Sequence, residues 1–134
     1  MHVIIGGAHN GKRDYVNAML ASRKIEWLEG SILSDRQQLD TNQVIVVAGI
    51  EKWLAETKLS EADAIDYVLA IVAGREAIVI LTDIGRGIVP IDAQHRKLRD
   101  ACGRLYQRLM AEADEVTRIW YGLAQTLKKR GEGL

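Results

Sequence analysis

The sequence predicts an α/β fold: three layers, with a mostly parallel sheet of about five or six strands and helices on both faces. Three observations lead there. Short β-rich apolar runs alternate with helical segments along the whole chain. Those runs are continuously apolar rather than alternating with polar residues, as strands buried on both faces are. The first of them ends in Gly6-Gly7 and opens into a glycine-rich turn followed by a helix.

Taken in order, His2 to Ile5 reads as a buried first strand. Lys12 to Ser22 has helical spacing, with Tyr15, Ala18, Met19 and Ser22 on one face. Ile25 to Leu28 is a short second strand, and residues 29–43 are polar without a clear period and read as a loop. Val44 to Ala48 is the most β-rich run of the first half, and Ile50 to Glu56 follows as a short helix with Trp53 and Leu54. Ser60 reads as an N-cap, with Asp63 three positions on. The helix it starts carries Ile65, Val68, Leu69 and Val72 on one face and ends at Gly74. Ala77 to Leu81 is another apolar strand. Thr82 to Asp92 is a loop with two glycines and Pro90. A long helix is expected from Ala93 to Ala113, lined inside by Leu98, Ala101, Cys102, Leu105 and Leu109. Val116 to Trp120 is a last clear strand, Ala124 to Leu127 an edge strand, and residues 127–134 a frayed polar tail.

Composition narrows the function classes. A length of 134 residues fits one domain. Acidic and basic residues balance at 18 each. That speaks against a nucleic-acid partner, which rewards a basic excess, and against a polybasic membrane surface. One cysteine, Cys102, cannot staple the fold and reads as a small core residue. No apolar run approaches the roughly 20 residues of a membrane helix. The N-terminus lacks a signal-peptide layout, so the expected compartment is the cytoplasm.

The chemistry-bearing segment is Gly6-Gly7-Ala8-His9-Asn10-Gly11-Lys12-Arg13. Its first seven residues fit G-x-x-x-x-G-K, the phosphate-binding P-loop, and sit between an apolar strand and a helix as that motif requires. The implied fold is P-loop NTPase-like. Glycines admit torsions that turn successive N–H groups toward phosphate oxygens. The helix start adds its positive dipole end. Lys12 adds a mobile point charge for the outer phosphates. All eight residues, Gly6 through Arg13, are candidate nucleotide contacts. One position departs: the eighth residue is Arg13, where a Ser or Thr hydroxyl would ligate Mg²⁺. Asp14 is adjacent, but a neighbouring helical residue projects about 100° away.

Longer stretches resemble a known family. The run Ile4 to Arg13 is similar to an apolar strand followed by G-G-A-R-S-G-K-S. Leu81-Thr82-Asp83-Ile84-Gly85-Arg86-Gly87-Ile88-Val89-Pro90 is similar to T-N-E-V-G-x-G-I-V-P. Arg96 to Val116 is similar to R-x-F-R-D-x-x-G-R-x-N-Q-x-L-A-x-x-A-D-E-V, with Arg104 and Gln107 at matching positions. Together these resemble the adenosylcobinamide kinase / adenosylcobinamide-phosphate guanylyltransferase family, in a shortened form. The resemblance implies a P-loop kinase fold, often a homo-oligomer. It implies transfer of phosphate from ATP or GTP, with Mg²⁺, to the hydroxyl of a corrinoid. It further implies a second activity that passes GMP through a histidine after the second strand. Here the histidines are His2, His9 and His95, with none from residue 10 to 94, so that second activity is expected to be absent. The family's third strand ends in an acid, L-L-E-C; the matching run here is Val46-Val47-Ala48-Gly49, and the nearest acid is Glu51.

The candidate catalytic residues are therefore Lys12, for charge stabilisation of the transferring phosphate, and Asp83, just beyond a strand's carboxyl end. Glu51 and Arg86 are candidates for substrate or metal. Arg13 is a candidate phosphate contact, and the metal ligands stay unassigned. The alternative is a non-catalytic nucleotide- or corrinoid-binding relative. Trp27, Trp53 and Trp120 read as core or interface.

Overall fold

The computed structural model describes residues 1–7, 11–30, 43–82 and 93–129. Its elements are β1 (His2–Gly6), α1 (Lys12–Met19), β2 (Ile25–Glu29), β3 (Val44–Ala48), α2 (Ile50–Glu56), α3 (Glu61–Val72), β4 (Ala77–Thr82), α4 (Ala93–Glu112), β5 (Glu115–Trp120) and β6 (Leu123–Lys129). The strands form one sheet in the order β2-β3-β4-β1-β5-β6. The first five run parallel, and β6 returns antiparallel along β5.

Chain direction explains which helix lies on which face. From β1 the chain crosses β4 and β3 to reach β2, whereas from β4 it crosses β1 in the other direction to reach β5. Right-handed crossovers in opposite directions place their helices on opposite faces. Accordingly α1 covers one face, where Val16 and Leu20 pack with Ile4, Val46, Ile80 and Ile119. The other face carries α2, α3 and α4. There Ile50, Trp53, Val68, Leu105 and Leu109 pack with Val3, Ile45, Val47, Val79 and Val116. The strictly alternating assignment of neighbours such as Val46 and Val47 is the two-residue period of a strand buried on both sides.

Local signals place most boundaries. The Ser60 hydroxyl accepts from the Asp63 amide at 3.2 Å, the expected cap of α3. Gly6 is the residue where a side chain is excluded. A Cβ there would lie 2.3 Å from the Ile119 carbonyl oxygen on the neighbouring strand β5.

Two expectations need correction. The first helix ends at Met19, not Ser22, and its buried positions are Lys12 and Val16, with Leu20 just beyond. Ala18 and Ser22 are exposed, Met19 is 41% exposed and Tyr15 is half-buried. The face is set by Lys12, held inward by the Gly6 and Gly7 carbonyls; residues four apart then follow it. The second correction is at the C-terminus, where Leu127, Lys128 and Lys129 belong to β6. Lys128 is anchored there by donating to the Met110 and Ala111 carbonyls at the end of α4. Residues 130–134, and the loop expected over residues 29–43, lie wholly or mostly outside the described residues. The tryptophans divide. Trp53 is buried and stacked on Tyr67, Trp27 is half-buried, and Trp120 is 42% exposed.

Candidate functional site

The carboxyl ends of β2, β3 and β4 and the start of α1 surround a cleft of about 1090 Å³. Ligands of open parallel sheets bind at such ends. Gly11, Lys12, Arg13 and Asp14 form one wall. Glu29, Gly30, Ala48 and Gly49 come from the ends of β2 and β3, Glu51, Lys52 and Glu56 from α2, and Ile80 and Thr82 from β4.

Lys12 is the most constrained of these side chains. It is only 7% exposed. Its ammonium donates to the Gly6 carbonyl at 3.2 Å and to the Gly7 carbonyl. A lysine is rarely buried without partners, because desolvating its charge is costly. Here the chain that leaves β1 curls over the lysine and supplies them. Gly11 precedes it with φ of 79°, a left-handed torsion that suits glycine, and its carbonyl accepts from the Tyr15 amide at 2.9 Å.

Arg13 points along the same wall to the end of β2. Its guanidinium pairs with both carboxylate oxygens of Glu29. It also lies over the Trp27 ring, 5.2 Å from the centroid. Asp14 lines the cleft as well, contrary to the expectation that it projects away. The cleft wraps the open end of α1, so three consecutive first-turn residues border it.

Glu51 sits where the sequence suggested, in the first turn of α2. Its carboxylate lies 3.5 Å from the Tyr106 hydroxyl of α4. That hydroxyl also donates to the Thr82 carbonyl at 3.0 Å. Tyr106 is 7% exposed. Burial first, and then the neighbouring charge of Glu51, pushes its phenol well above the usual range. Cys102, one turn earlier on α4, is pushed up to about 11 by burial and by Glu51. It stays a protonated core thiol, unsuited to nucleophilic work.

The structure thus brings Gly11, Lys12, Arg13 and Glu51 to one cleft and uses Gly6 and Gly7 to hold Lys12. Ala8, His9, Asn10, Asp83 and Arg86 lie outside the described residues. Arg104 is spent on the protein, in a two-bonded pair with Glu61 that ties α4 to α3 at 2.7 and 2.6 Å. Gln107 is exposed. Sequence reasoning missed Glu29, Lys52, Glu56 and Tyr106. Glu29 had a readable signal, since it is the last residue of a parallel strand, where ligands gather. Tyr106 had a weaker one: it lies on the same stripe of α4 as Cys102 and Leu109.

The two described positions where metal-associated groups are expected do not fit a Mg²⁺ ion. The eighth loop position carries the cation Arg13, and the end of β3 carries the methyl of Ala48. Among the described residues no group of three His, Cys, Asp or Glu could hold a metal ion. Mg²⁺ takes oxygen ligands, usually one or two carboxylates with waters and substrate phosphates.

Fold and site together define a class: a three-layer α/β protein with a cleft, lined by charged side chains of both signs, at the carboxyl edge of a parallel sheet. Comparison with known proteins then gives the family. A model of the cobinamide kinase / cobinamide phosphate guanyltransferase family matches residues 28–127, and the chain belongs to that family. The match begins after the glycine-rich loop, at the end of β2. The bifunctional adenosylcobalamin biosynthesis protein CobU of Salmonella typhimurium is 38% identical over 53 residues. Those residues are 40% of this chain and 29% of that protein, so the alignment spans less than a third of the relative's length. A solved structure from Pyrococcus horikoshii OT3 superposes with a TM-score of 0.59 over 98% of this chain and 87% of that one. At 9% identity it supports the fold alone. No helix among the described residues is long and apolar enough to cross a membrane.

Proposed function

We propose that this protein is a nucleotide-dependent kinase of the corrinoid pathway, with a P-loop at Gly6 to Lys12. It would transfer the terminal phosphoryl of ATP or GTP to an alcohol of a cobinamide-like acceptor. The observation that carries the reading is Lys12, held in the wall of the cleft by the carbonyls of Gly6 and Gly7. In the reaction the acceptor oxygen bonds to the γ-phosphorus, the bond from that phosphorus to the β–γ bridging oxygen breaks, and the nucleoside diphosphate leaves. Lys12 stabilises the charge that develops on the phosphoryl oxygens. Glu51 is the described cleft carboxylate best held for taking the hydroxyl proton, since the Tyr106 hydroxyl lies beside it. Asp83 is a second proposed acid, and Arg86 a proposed acceptor contact. We further propose a cytoplasmic homo-oligomer that has lost guanylyl transfer, because residues 10–94 contain no histidine to carry GMP.

A second reading is favoured by Arg13 and Ala48, which occupy positions where metal-associated groups are expected. In it the protein binds nucleotide or corrinoid without transfer, as a regulator or partner. Incubating the chain with cobinamide, Mg²⁺ and γ-labelled ATP or GTP separates the two, with Lys12→Ala alongside. Label in the corrinoid that vanishes in Lys12→Ala is the expected result. Tight nucleotide binding with no labelled corrinoid would overturn the kinase in favour of the second reading.

A further inference from the structure

We infer that the cleft accepts its nucleoside polyphosphate without a divalent ion, with Arg13 supplying the charge that a metal would bring and Glu29 holding Arg13 ready. The inference rests on the placement of phosphate at Lys12 proposed above, and it goes beyond that placement by naming the form of the ligand: the metal-free polyphosphate anion.

Three observations converge on it. The first is position. Lys12 and Arg13 are the first two residues of α1, and both border the same cleft. Two consecutive cationic residues thus open the helix. A guanidinium at this point repels a divalent ion and attracts the oxygens that such an ion would bridge. Its planar fork matches phosphate in two parallel hydrogen bonds, which an ammonium cannot do.

The second is how Arg13 is held. Glu29 accepts from both terminal nitrogens, and the guanidinium lies over Trp27. The fork is therefore oriented before any ligand arrives, from a platform at the end of β2. Yet the pair is soft. Its side chains are 52% and 45% exposed, so solvent screens it, and exposed pairs contribute little net stability. A polyphosphate carries more charge than one carboxylate and has the backbone of the helix start to itself. It displaces Glu29 at small cost, while the stacking on Trp27 need not change.

The third is the donor set. The oxygen-bearing positions that would hold a metal carry Arg13 and Ala48. The cleft's four described carboxylates come from three elements: Asp14 from α1, Glu29 from β2, and Glu51 and Glu56 from α2. Among the described residues none of them joins a three-ligand group.

The test is isothermal titration of the whole chain with ATP and with GTP, in Mg²⁺ and in EDTA. The wild type is expected to bind equally in the two buffers, within about threefold. Arg13→Ser is expected to lose roughly tenfold or more in EDTA, the loss of one charge-assisted contact pair, and to regain affinity with Mg²⁺. Glu29→Gln, which removes the competing charge but keeps the shape, is expected to bind a few-fold tighter in EDTA. Both residues are exposed, and thermal melts of the variants serve to check that the fold is intact. Wild-type binding that collapses in EDTA would overturn this inference and leave the phosphate cleft standing. An Arg13→Ser variant that binds as wild type in EDTA would overturn it as well. Absence of binding in both buffers would overturn the phosphate cleft and this inference together.

Discussion

The two faces of the sheet are built on different terms. On one, α4 contributes Leu105, Tyr106 and Leu109 to a core that α2 and α3 extend with Ile50, Trp53, Ala64 and Val68. On the other, the eight-residue α1 contributes Val16, with Leu20 after it, and, the buried Lys12 aside, shows solvent most of its polar residues and much of Met19. Burial holds the first face. The second is held by fewer buried helix residues, with Lys12 tied to the chain leaving β1, while the exposed pair of Arg13 with Glu29 adds little. A helix anchored at its start by polar groups can present those groups to a ligand. A helix buried along its length positions others to do so, as α4 does through Tyr106.

Mutations that probe burial should therefore separate the faces. Leu109 is fully buried beneath α4, and Leu109→Ala is expected to cost about 2–5 kcal/mol in urea unfolding. Val16→Ala, equally buried beneath α1, should cost about 1.6 kcal/mol, two methylene equivalents. Equal losses would break the contrast. Gly6→Ala probes the strand that joins both faces. The new Cβ would meet the backbone oxygen of Ile119 at 2.3 Å, and roughly 1–3 kcal/mol is expected from the forced separation of β1 and β5. A variant of wild-type stability would show that β5 moves aside freely.

Smaller effects sharpen the picture. Tyr106→Phe removes the hydroxyl that donates to Thr82. About 1 kcal/mol of stability should go with it, read from the same unfolding curves. No loss would mean that Thr82 finds water instead and that α4 does not position the cleft through this bond. The smallest effect is a pH slope at the far end of β1. Burial lowers the pKa of His2 from 6.5, opposed by the charge of Glu115 and assisted by the α-amino group. Its neutral ring pairs with the Thr117 hydroxyl at 2.8 Å. The folded state thus binds fewer protons than the unfolded one. Stability is full above about pH 6.5 and falls as pH drops through the lowered value. Melting temperatures of His2→Gln should decline less than wild type between about pH 7 and 5. Parallel curves would remove His2 as the cause.

Much of this fold was legible beforehand. The β3 and α2 limits matched residue for residue, and the Ser60 cap was where the Ser-to-Asp63 spacing put it. The face of α1 was misread because its buried side opens on a charge while the apolar Ala18 and Met19 face solvent. Lys12, a charge, is among its buried residues, and no hydrophobic pattern announces that. At the site, Gly11, Lys12 and Arg13 came from one contiguous motif, and Glu51 from the search for a displaced acid. Glu29 and Tyr106 were not found, because what makes them matter is a partner far away in the chain.

The amino-acid sequence by itself determined the alternation of apolar strands and helices, the parallel sheet and the glycine-rich loop ending in Lys12. These are local periodicities and torsional demands, written within a few neighbouring residues. Only the tertiary structure decided the strand order, the pairing of Arg13 with Glu29 and the meeting of Glu51 with Tyr106. Those contacts depend on which strands become neighbours and on which face each crossover lies. No local pattern carries that information, because it arises only when distant segments bury their apolar surfaces against one another.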